Sequence, residues 1–179
     1  TVDPSGRFAY VTNEFSHNVS AYTLDAATGV LTAMAGSPFT AGTRPASVTV
    51  DPSGRFVYVA NEDSNNVSAY TIDATTGALG AVAGSPFTAG TRPASVTVDP
   101  LGRFAYVANA GPNNVSAYTI NTTTGALTSV GLAVAAGTGP SSVTVDPSGR
   151  FAYVANYGSH NVSAYTLDAI TGALTTMAG

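Results

Sequence analysis

The sequence predicts an all-β fold, a β-propeller built of four-stranded antiparallel blades. The stretch from Ser47 to Thr71, SVTVDPSGRFVYVANEDSNNVSAYT, returns almost unchanged from Thr1, Ser95 and Ser142. The glycines of its Asp-Pro-x-Gly-Arg turn lie 48, 48 and 47 residues apart, at positions 6, 54, 102 and 149. No segment of the repeat has the pattern of a helix. Four near-identical, all-strand repeats of 47–48 residues are typical of propeller blades.

The first half of each repeat predicts strands a and b. In the second unit, the β-branched run Ser47–Val50 predicts strand a. It ends in the turn Asp51–Gly54, in which proline fixes φ and glycine tolerates a positive φ. The aromatic and β-branched run Phe56–Ala60 predicts strand b, which the polar loop 61–66 follows.

The second half predicts strands c and d. Val67–Ile72 is the predicted strand c, and the five residues 73–77 form a hairpin loop that ends in glycine. Strand d is predicted over Ala78–Ala83, and residues 84–93 are expected to lead to the next strand a. We therefore predict blades at about 1–43, 44–91, 92–138 and 139–179.

The alternation of side chains predicts how the blades pack. Phe56 and Tyr58 alternate with valines in strand b, and Tyr70 alternates with Ala69 in strand c. We expect one bulky and one smaller face on each blade, neither of them charged. A sheet with two apolar faces must be covered on both sides, so the bulky face should fill the smaller face of the next blade.

The repeat also carries a family resemblance. The motif [TS]-V-x-P-x-G-R-x-x-Y-V-[TA]-N, at Val50–Asn61 and three more times, together with Asn-Val-Ser-Ala-Tyr, resembles the YVTN family of β-propeller repeats. With that family it is similar to the lactonase-type seven-bladed propellers. The resemblance implies a ring that closes at about seven blades. It also implies hydrolysis of a cyclic ester by polar and charged residues at the mouth of the channel.

Composition excludes several classes of function. The net charge is −4 and the sequence has no lysine, so we predict no binding to nucleic acid. The sequence lacks cysteine and has no apolar run long enough to span a bilayer. It opens partway into a repeat, at Thr1, which we interpret as a piece of a longer polypeptide. We predict an extracellular or cell-surface location.

Four blades are expected to need partners, because an open arc would leave two apolar blade faces in water. Further blades of a parent chain would complete the ring. A second copy would do the same and give an eight-bladed ring, four plus four, with two-fold symmetry.

Candidate ligand-binding residues lie where the repeats differ. The b–c loop and the d–a connection are expected at one end of each blade, and there charged and aromatic residues vary. The candidate rim residues are Glu14, His17, Arg44, Glu62, Arg92, Tyr157 and His160. Arginines suit an anionic group, with carboxylates or histidines beside them. Alternatively, these residues are solvated loop positions that vary freely.

Other recurring residues favour structural roles. The Asn-Val-Ser sequons at Asn18, Asn66, Asn114 and Asn161, like Asn121-Thr122-Thr123, match a glycosylation site, but a turn asparagine before a strand explains the first four. The aspartates of the Asp-Pro turns are too isolated for a calcium loop. The strand-b tyrosines are expected between blades. We predict no cofactor, no metal and no catalytic triad.

The main functional prediction is a non-catalytic scaffold or binding module. Units one and two differ at only about nine of 48 aligned positions, and near-identical units offer little of the asymmetry that catalysis requires. The alternative is a lactonase-like hydrolase, which needs a base for water and a cation for the oxyanion. Glu62 with Arg92, or His17 with Arg44, would supply these groups.

Overall fold

The computed structural model describes residues 1–177 and confirms an all-β propeller architecture. All regular secondary structure in residues 1–177 is β-strand. The strands are β1 (Phe8–Asn13), β2 (Asn18–Leu24), β3 (Leu31–Ala33), β4 (Phe39–Thr40), β5 (Pro45–Val50), β6 (Phe56–Asn61), β7 (Asn66–Ile72), β8 (Leu79–Ala81), β9 (Phe87–Thr88), β10 (Pro93–Val98), β11 (Phe104–Asn109), β12 (Asn114–Ile120), β13 (Leu127–Ser129), β14 (Val134–Ala135), β15 (Pro140–Val145), β16 (Phe151–Asn156), β17 (Asn161–Leu167) and β18 (Leu174–Thr176). No helix within residues 1–177 could cross a membrane.

Each repeat forms one antiparallel sheet. In blade 2 the order is β5-β6-β7-β8, which is the predicted a-b-c-d meander, and blades 3 and 4 repeat it. In blade 1 the order is β1-β2-β3, and Val2 forms a single bridge with Ala9 at the place of strand a. The proposed blade boundaries assign one sheet to each unit. Neighbouring a strands contact one another, which places them at the inner edge of the arc.

Strand d departs from the prediction of one continuous strand. It is split into β8 and β9, which both pair with β7, so the segment expected to be a plain connector contains part of the sheet. Between the two pieces the chain leaves the ladder, and the Ser85 hydroxyl accepts a hydrogen bond from the Ala69 N–H (2.9 Å). A side chain therefore replaces a strand partner, which a propensity pattern does not reveal.

The hydrophobic core lies between blades. One core cluster joins Phe56, Tyr58 and Val67 of blade 2 to Val107 and Tyr118 of blade 3, and the two other junctions are built alike. The expectation of one bulky and one small face is wrong in detail. Tyr58 lies opposite Ala69, and Val57 lies opposite Tyr70. Because large and small residues pair across adjacent strands, both faces are stepped, and the steps of neighbouring blades interlock.

Hydrogen bonds lock each blade to the next at the end that bears the a–b and c–d turns. The Tyr58 hydroxyl donates to the Gly125 carbonyl (3.0 Å), and the Arg55 guanidinium, packed over Phe56, donates to the Thr122 and Thr123 carbonyls. The corresponding tyrosines of blades 1 and 3 donate to the carbonyls of Gly77 and Gly172. The arginine of the signature motif is thus a fastener between blades.

The turn aspartates form these turns, as predicted. Asp51 is 3% exposed, and its carboxylate accepts hydrogen bonds from the backbone N–H groups of Ser53, Arg55 and Phe56. Asp3, Asp99 and Asp146 accept equivalent backbone bonds. A carboxylate saturated in this way fixes the turn.

Candidate functional site

The b–c loops and the d–a connections meet at one end of the blades, as predicted. The Glu62 N–H at the start of a b–c loop donates to the Arg44 carbonyl (2.8 Å), and the Thr43 N–H of the connection donates to the Ser64 hydroxyl (2.7 Å). Arg44 and Arg92 directly precede the a strands β5 and β10. Since those strands line the inner edge of the arc, both arginines stand at the rim of the central opening.

Four of the predicted rim residues form a continuous row of alternating charge. The Arg44 guanidinium bonds Glu14 through Nε (3.1 Å) and Nη2, and the same Nη2 lies 3.4 Å from Glu62 Oε2. Arg92 bonds Glu62 Oε1 through Nε (3.0 Å) and Nη2 (2.7 Å). We name Glu14, Arg44, Glu62 and Arg92 the rim charge row. It crosses from blade 1 to the beginning of blade 3.

The members of the row differ in what they leave free. Both oxygens of Glu62 are bonded, and its side chain is 13% exposed. The bonds to Glu14 end at Oε1, so within the described residues its Oε2 has no partner. The described contacts of Arg92 use Nε and Nη2, and 58% of its side chain is exposed. One carboxylate oxygen and one guanidinium edge are therefore open at the two ends of the row.

Arg44 stays cationic at the centre of the row. The hydrogen bond from its side chain to Glu14 raises the pKa of Arg44, and the charges of Glu62 and Asp63 add to this. Asp63 Oδ1 lies 3.3 Å from Arg44 Nη1. Sequence reasoning missed Asp63, because its equivalents are Phe15, Gly111 and Gly158 and the position reads as free loop variation.

His17 has a structural role that its variability conceals. Its Nδ1 accepts a hydrogen bond from the Arg44 backbone N–H (3.1 Å). In the next two blades Asn65 and Asn113 accept the equivalent bond through Oδ1, from the N–H groups of Arg92 and Gly139. Histidine and asparagine therefore perform the same task of holding the d–a connection. Only Nε2 of His17 is left to meet a ligand.

Tyr157 and His160 lie apart from the row. They are on blade 4, where their rings make an edge-on contact with centroids 6.4 Å apart. Together with Ser141 and Val162 they border an open cleft of about 400 Å³. Tyr157 occupies the position of Glu62, and Gly139 occupies that of Arg92, so the ion pairs cannot form there. The structure thus joins five of the seven predicted residues and separates these two.

The recurring asparagines also have structural partners. Asn61 is buried, and its Nδ2 donates to Asn66 Oδ1 (2.8 Å) and to the Ser68 hydroxyl (2.9 Å). This bond pattern recurs in all four blades. It uses the asparagine and the serine of each Asn-Val-Ser sequon, which accounts for their recurrence. Within residues 1–177, no group of three or more His, Asp or Glu side chains is arranged to hold a metal ion.

Comparison with protein families gives a direct match. The family model of the lactonases with a seven-bladed β-propeller matches residues 1–88 and 81–179. No curated protein matches the sequence. The main functional prediction, a non-catalytic scaffold or binding module, is therefore wrong, and the lactonase-like alternative is the better supported one. The sequence argument failed because it took the near-identity of the units as evidence against catalysis, whereas the family that the chain matches is one of lactonases.

Solved structures share the fold. A protein of Bacteroides uniformis, provisionally assigned as a 6-phosphogluconolactonase, superposes with a TM-score of 0.89 at 22% identity, over 99% of this chain and 52% of its own. The periplasmic gluconolactonase of Pseudomonas aeruginosa superposes with a TM-score of 0.86 at 22% identity, over 99% of this chain and 52% of its own. A protein of Lactobacillus plantarum superposes with a TM-score of 0.77 at 26% identity, over 90% of this chain and 48% of its own. The chain spans about half the length of these structures. It belongs to the lactonase family of seven-bladed β-propellers.

Proposed function

We propose that this chain hydrolyses a lactone, with the rim charge row as the polar part of its active site. The observation that carries the proposal is the row itself, in which two carboxylates and two guanidiniums alternate at the central opening. Family membership supports it, because the matching model is that of a lactonase. The names of the structural neighbours point to sugar lactones as the substrate class.

Hydrolysis of a lactone requires two kinds of group. A base takes a proton from water while the water oxygen bonds to the carbonyl carbon, and a cation or donor stabilises the resulting oxyanion. The ring C–O bond then breaks, and the ring oxygen receives a proton to become an alcohol. The products are a carboxylate and a hydroxyl on one open chain.

We assign these roles from the atoms that the ion pairs of the row leave free. Glu14 Oε2 is the base, since Glu62 has both oxygens engaged by arginines. Arg92 stabilises the oxyanion, since its described bonds leave one guanidinium edge open. Arg44 and Glu62 are positioning residues that hold these two groups in line. The substrate would lie along the row, across the entrance of the channel.

An assay of glucono-δ-lactone hydrolysis tests this proposal. The reaction is monitored through the protons that it releases, and the rate is corrected for spontaneous hydrolysis. We expect Glu14→Gln and Arg92→Met each to reduce kcat/KM by roughly 100-fold, because each removes a group used in the transition state. Leu101→Ser is the matched control. It lies at the opposite end of the blades, is exposed, and restores the residue that the other three repeats carry. No turnover by the unsubstituted chain, or equal turnover by the unsubstituted chain and the variants, would refute the proposal.

We further propose that the protein acts outside the cytoplasm. The support is the periplasmic location in the name of the Pseudomonas aeruginosa neighbour. Fractionation of the cells that naturally produce the protein would test this. Recovery in the cytosolic fraction alone would contradict it.

A further inference from the structure

The two end blades each expose a face that is buried everywhere else. Tyr153 and Val162 on blade 4 are 41% and 63% exposed, whereas their equivalents in blades 1 to 3 are at most 1% exposed. We name this surface the leading face. On blade 1, Val11 and Leu31 are 45% and 48% exposed, whereas the equivalents of Val11 in the other blades are fully buried. We name this second surface the trailing face.

The two faces are complementary halves of an interface that the chain already forms three times. Inside the arc, leading-type residues of one blade, such as Tyr58 and Val67, pack on trailing-type residues of the next, such as Val107 and Leu127. The exposed faces carry the same residue types at the same strand positions. A second copy therefore offers each face the surface for which its side chains are shaped.

The glycines of the c–d turns lie against aromatic rings in blades 2 to 4 but not in blade 1. A Cβ built on Gly77, Gly125 or Gly172 would lie 2.3–2.5 Å from the ring of Phe8, Phe56 or Phe104 of the preceding blade. These three glycines are thus the seats of aromatic rings. Gly29 of blade 1 has the same positive φ of about 72° and nothing within 4 Å. Phe151 on the leading face is the ring that has no such seat.

We propose that two copies of this chain dock head to tail, the leading face of each on the trailing face of the other, and close an eight-bladed ring. Phe151 would occupy the seat at Gly29, and the Tyr153 hydroxyl would donate to the Gly29 carbonyl as Tyr58 does to Gly125. Arg150 would reach the c–d turn at Ala27, repeating the bond of Arg7 to the Thr75 carbonyl.

The match between the two exposed faces favours a second copy as the occupant. Two arcs of four make eight blades, one more than the family model describes but within the range at which propellers close. A two-fold rotation about the ring axis makes both junctions equivalent, so the assembly ends at two copies and leaves no apolar face. The proposal does not rest on the proposed function, since mass and cross-linking report on it without any substrate.

The molar mass in solution is the first test. Light scattering should give twice the 17.8 kDa of one chain. Val162→Glu on the leading face and Val11→Glu on the trailing face should each give one chain mass, with unchanged circular dichroism because both sites are exposed in the single chain. Leu101→Ser, an exposed site remote from both faces, should keep the double mass.

The pair of variants distinguishes head-to-tail docking from its alternatives. If only the leading-face variant dissociates the dimer, the copies meet face to face, and the proposal is wrong. The same holds if only the trailing-face variant does so. The proposal is also overturned if the unsubstituted chain stays at 17.8 kDa at high concentration or forms larger open assemblies.

Cross-linking supplies a second readout that does not depend on destabilising anything. The chain contains no cysteine, so introduced thiols react alone. A short bis-maleimide should join chains of the double variant Arg150→Cys/Ala27→Cys into a covalent dimer. Arg150→Cys alone should give none, because the two leading faces lie on opposite junctions of the ring. Cross-linking by the single variant, or none by the double variant, would refute the head-to-tail arrangement.

Discussion

The interior blade faces and the two end faces have the same side chains and different neighbours. Val67 on blade 2 is fully buried, whereas Val162, at the same position of the same strand on blade 4, is 63% exposed. Tyr58 and Tyr153 differ in the same way. Local sequence is nearly constant between these positions, so the difference in burial comes from the adjacent blade.

This comparison shows that a blade does not bury its own core. Each sheet has two apolar faces, and its stabilisation comes from the pairing of one face with the next, as in other repeat architectures. Removal of apolar surface from water contributes roughly 25 cal/mol per Å², so an unpaired face forgoes a large part of the stability of its blade. Matched substitutions in the interior and at the ends can measure this contribution directly.

The largest expected effect concerns the glycine seats. Gly125→Ala should destabilise the fold by about 3 kcal/mol, because it adds overpacking against Phe56 to the cost of a side chain at positive φ. Gly29→Ala should cost only about 1 kcal/mol, since its φ is similar but its surroundings are open. Urea unfolding monitored by circular dichroism measures both values.

Gly29→Ala is best measured in the Val162→Glu background, in which docking of a second copy is blocked. Equal losses for the two alanine variants in that background would show that the close approach of Phe56 to Gly125 is relieved without cost. An increased loss for Gly29→Ala in the parent background would sharpen the comparison, since the seat would then be filled.

The next effect is that of the buried valines. Val67→Ala removes two methyl groups from a closed junction and should cost about 2 kcal/mol. Val162→Ala, also in a chain kept single by Val11→Glu, should cost close to nothing. Chemical denaturation at low protein concentration gives the two free energies of unfolding. A substantial loss for Val162→Ala would indicate that the leading face is covered within one chain.

Most of the fold could be predicted because the repeat states the same local pattern four times. The turn Asp51–Gly54 and the aromatic run of strand b fix blade topology through backbone preferences that sequence reveals directly. Strand d was less predictable. Its break depends on the Ser85 hydroxyl in place of a ladder partner, and that replacement exists only after β7 and β8 have paired.

The candidate site was predictable in composition but not in connection. Variation among repeats located Glu14, Arg44, Glu62 and Arg92, yet the order of the ion pairs depends on how far one blade is rotated from the next. The same variation also selected His17, whose Nδ1 replaces the asparagine oxygen of other blades. Two side chains that accept the same hydrogen bond look unrelated in sequence.

A smaller effect is expected for the tyrosine hydroxyls. Tyr58→Phe removes the buried hydrogen bond to the Gly125 carbonyl and should cost about 1 kcal/mol. Tyr153→Phe should have no measurable effect in a single chain, because Tyr153 is 41% exposed and its hydroxyl makes no hydrogen bond within the described residues. Denaturation midpoints of the two variants test this. A loss for Tyr153→Phe that grows with protein concentration would instead report the bond to a second copy.

The smallest effect concerns the turn carboxylates and depends on pH. The hydrogen bond from the Ser148 hydroxyl, helped by backbone N–H groups of Phe151, Ser148 and Arg150, lowers the pKa of Asp146 from 3.8 to about 2. A carboxyl with a lower pKa in the folded state stabilises the fold above pH 3.8, and this contribution is lost as the pH falls towards 2.

Ser148→Ala should raise the pKa of Asp146 and reduce the acid sensitivity within that window. Carboxyl chemical shifts and urea midpoints between pH 2 and 5 measure both, and the difference between variant and parent cancels the titration of the other aspartates. Leu101→Ser makes the opposite change at the equivalent position of blade 3 and should add a hydroxyl bond to Asp99. An unchanged pKa of Asp146 in Ser148→Ala would mean that the backbone N–H groups alone hold the turn.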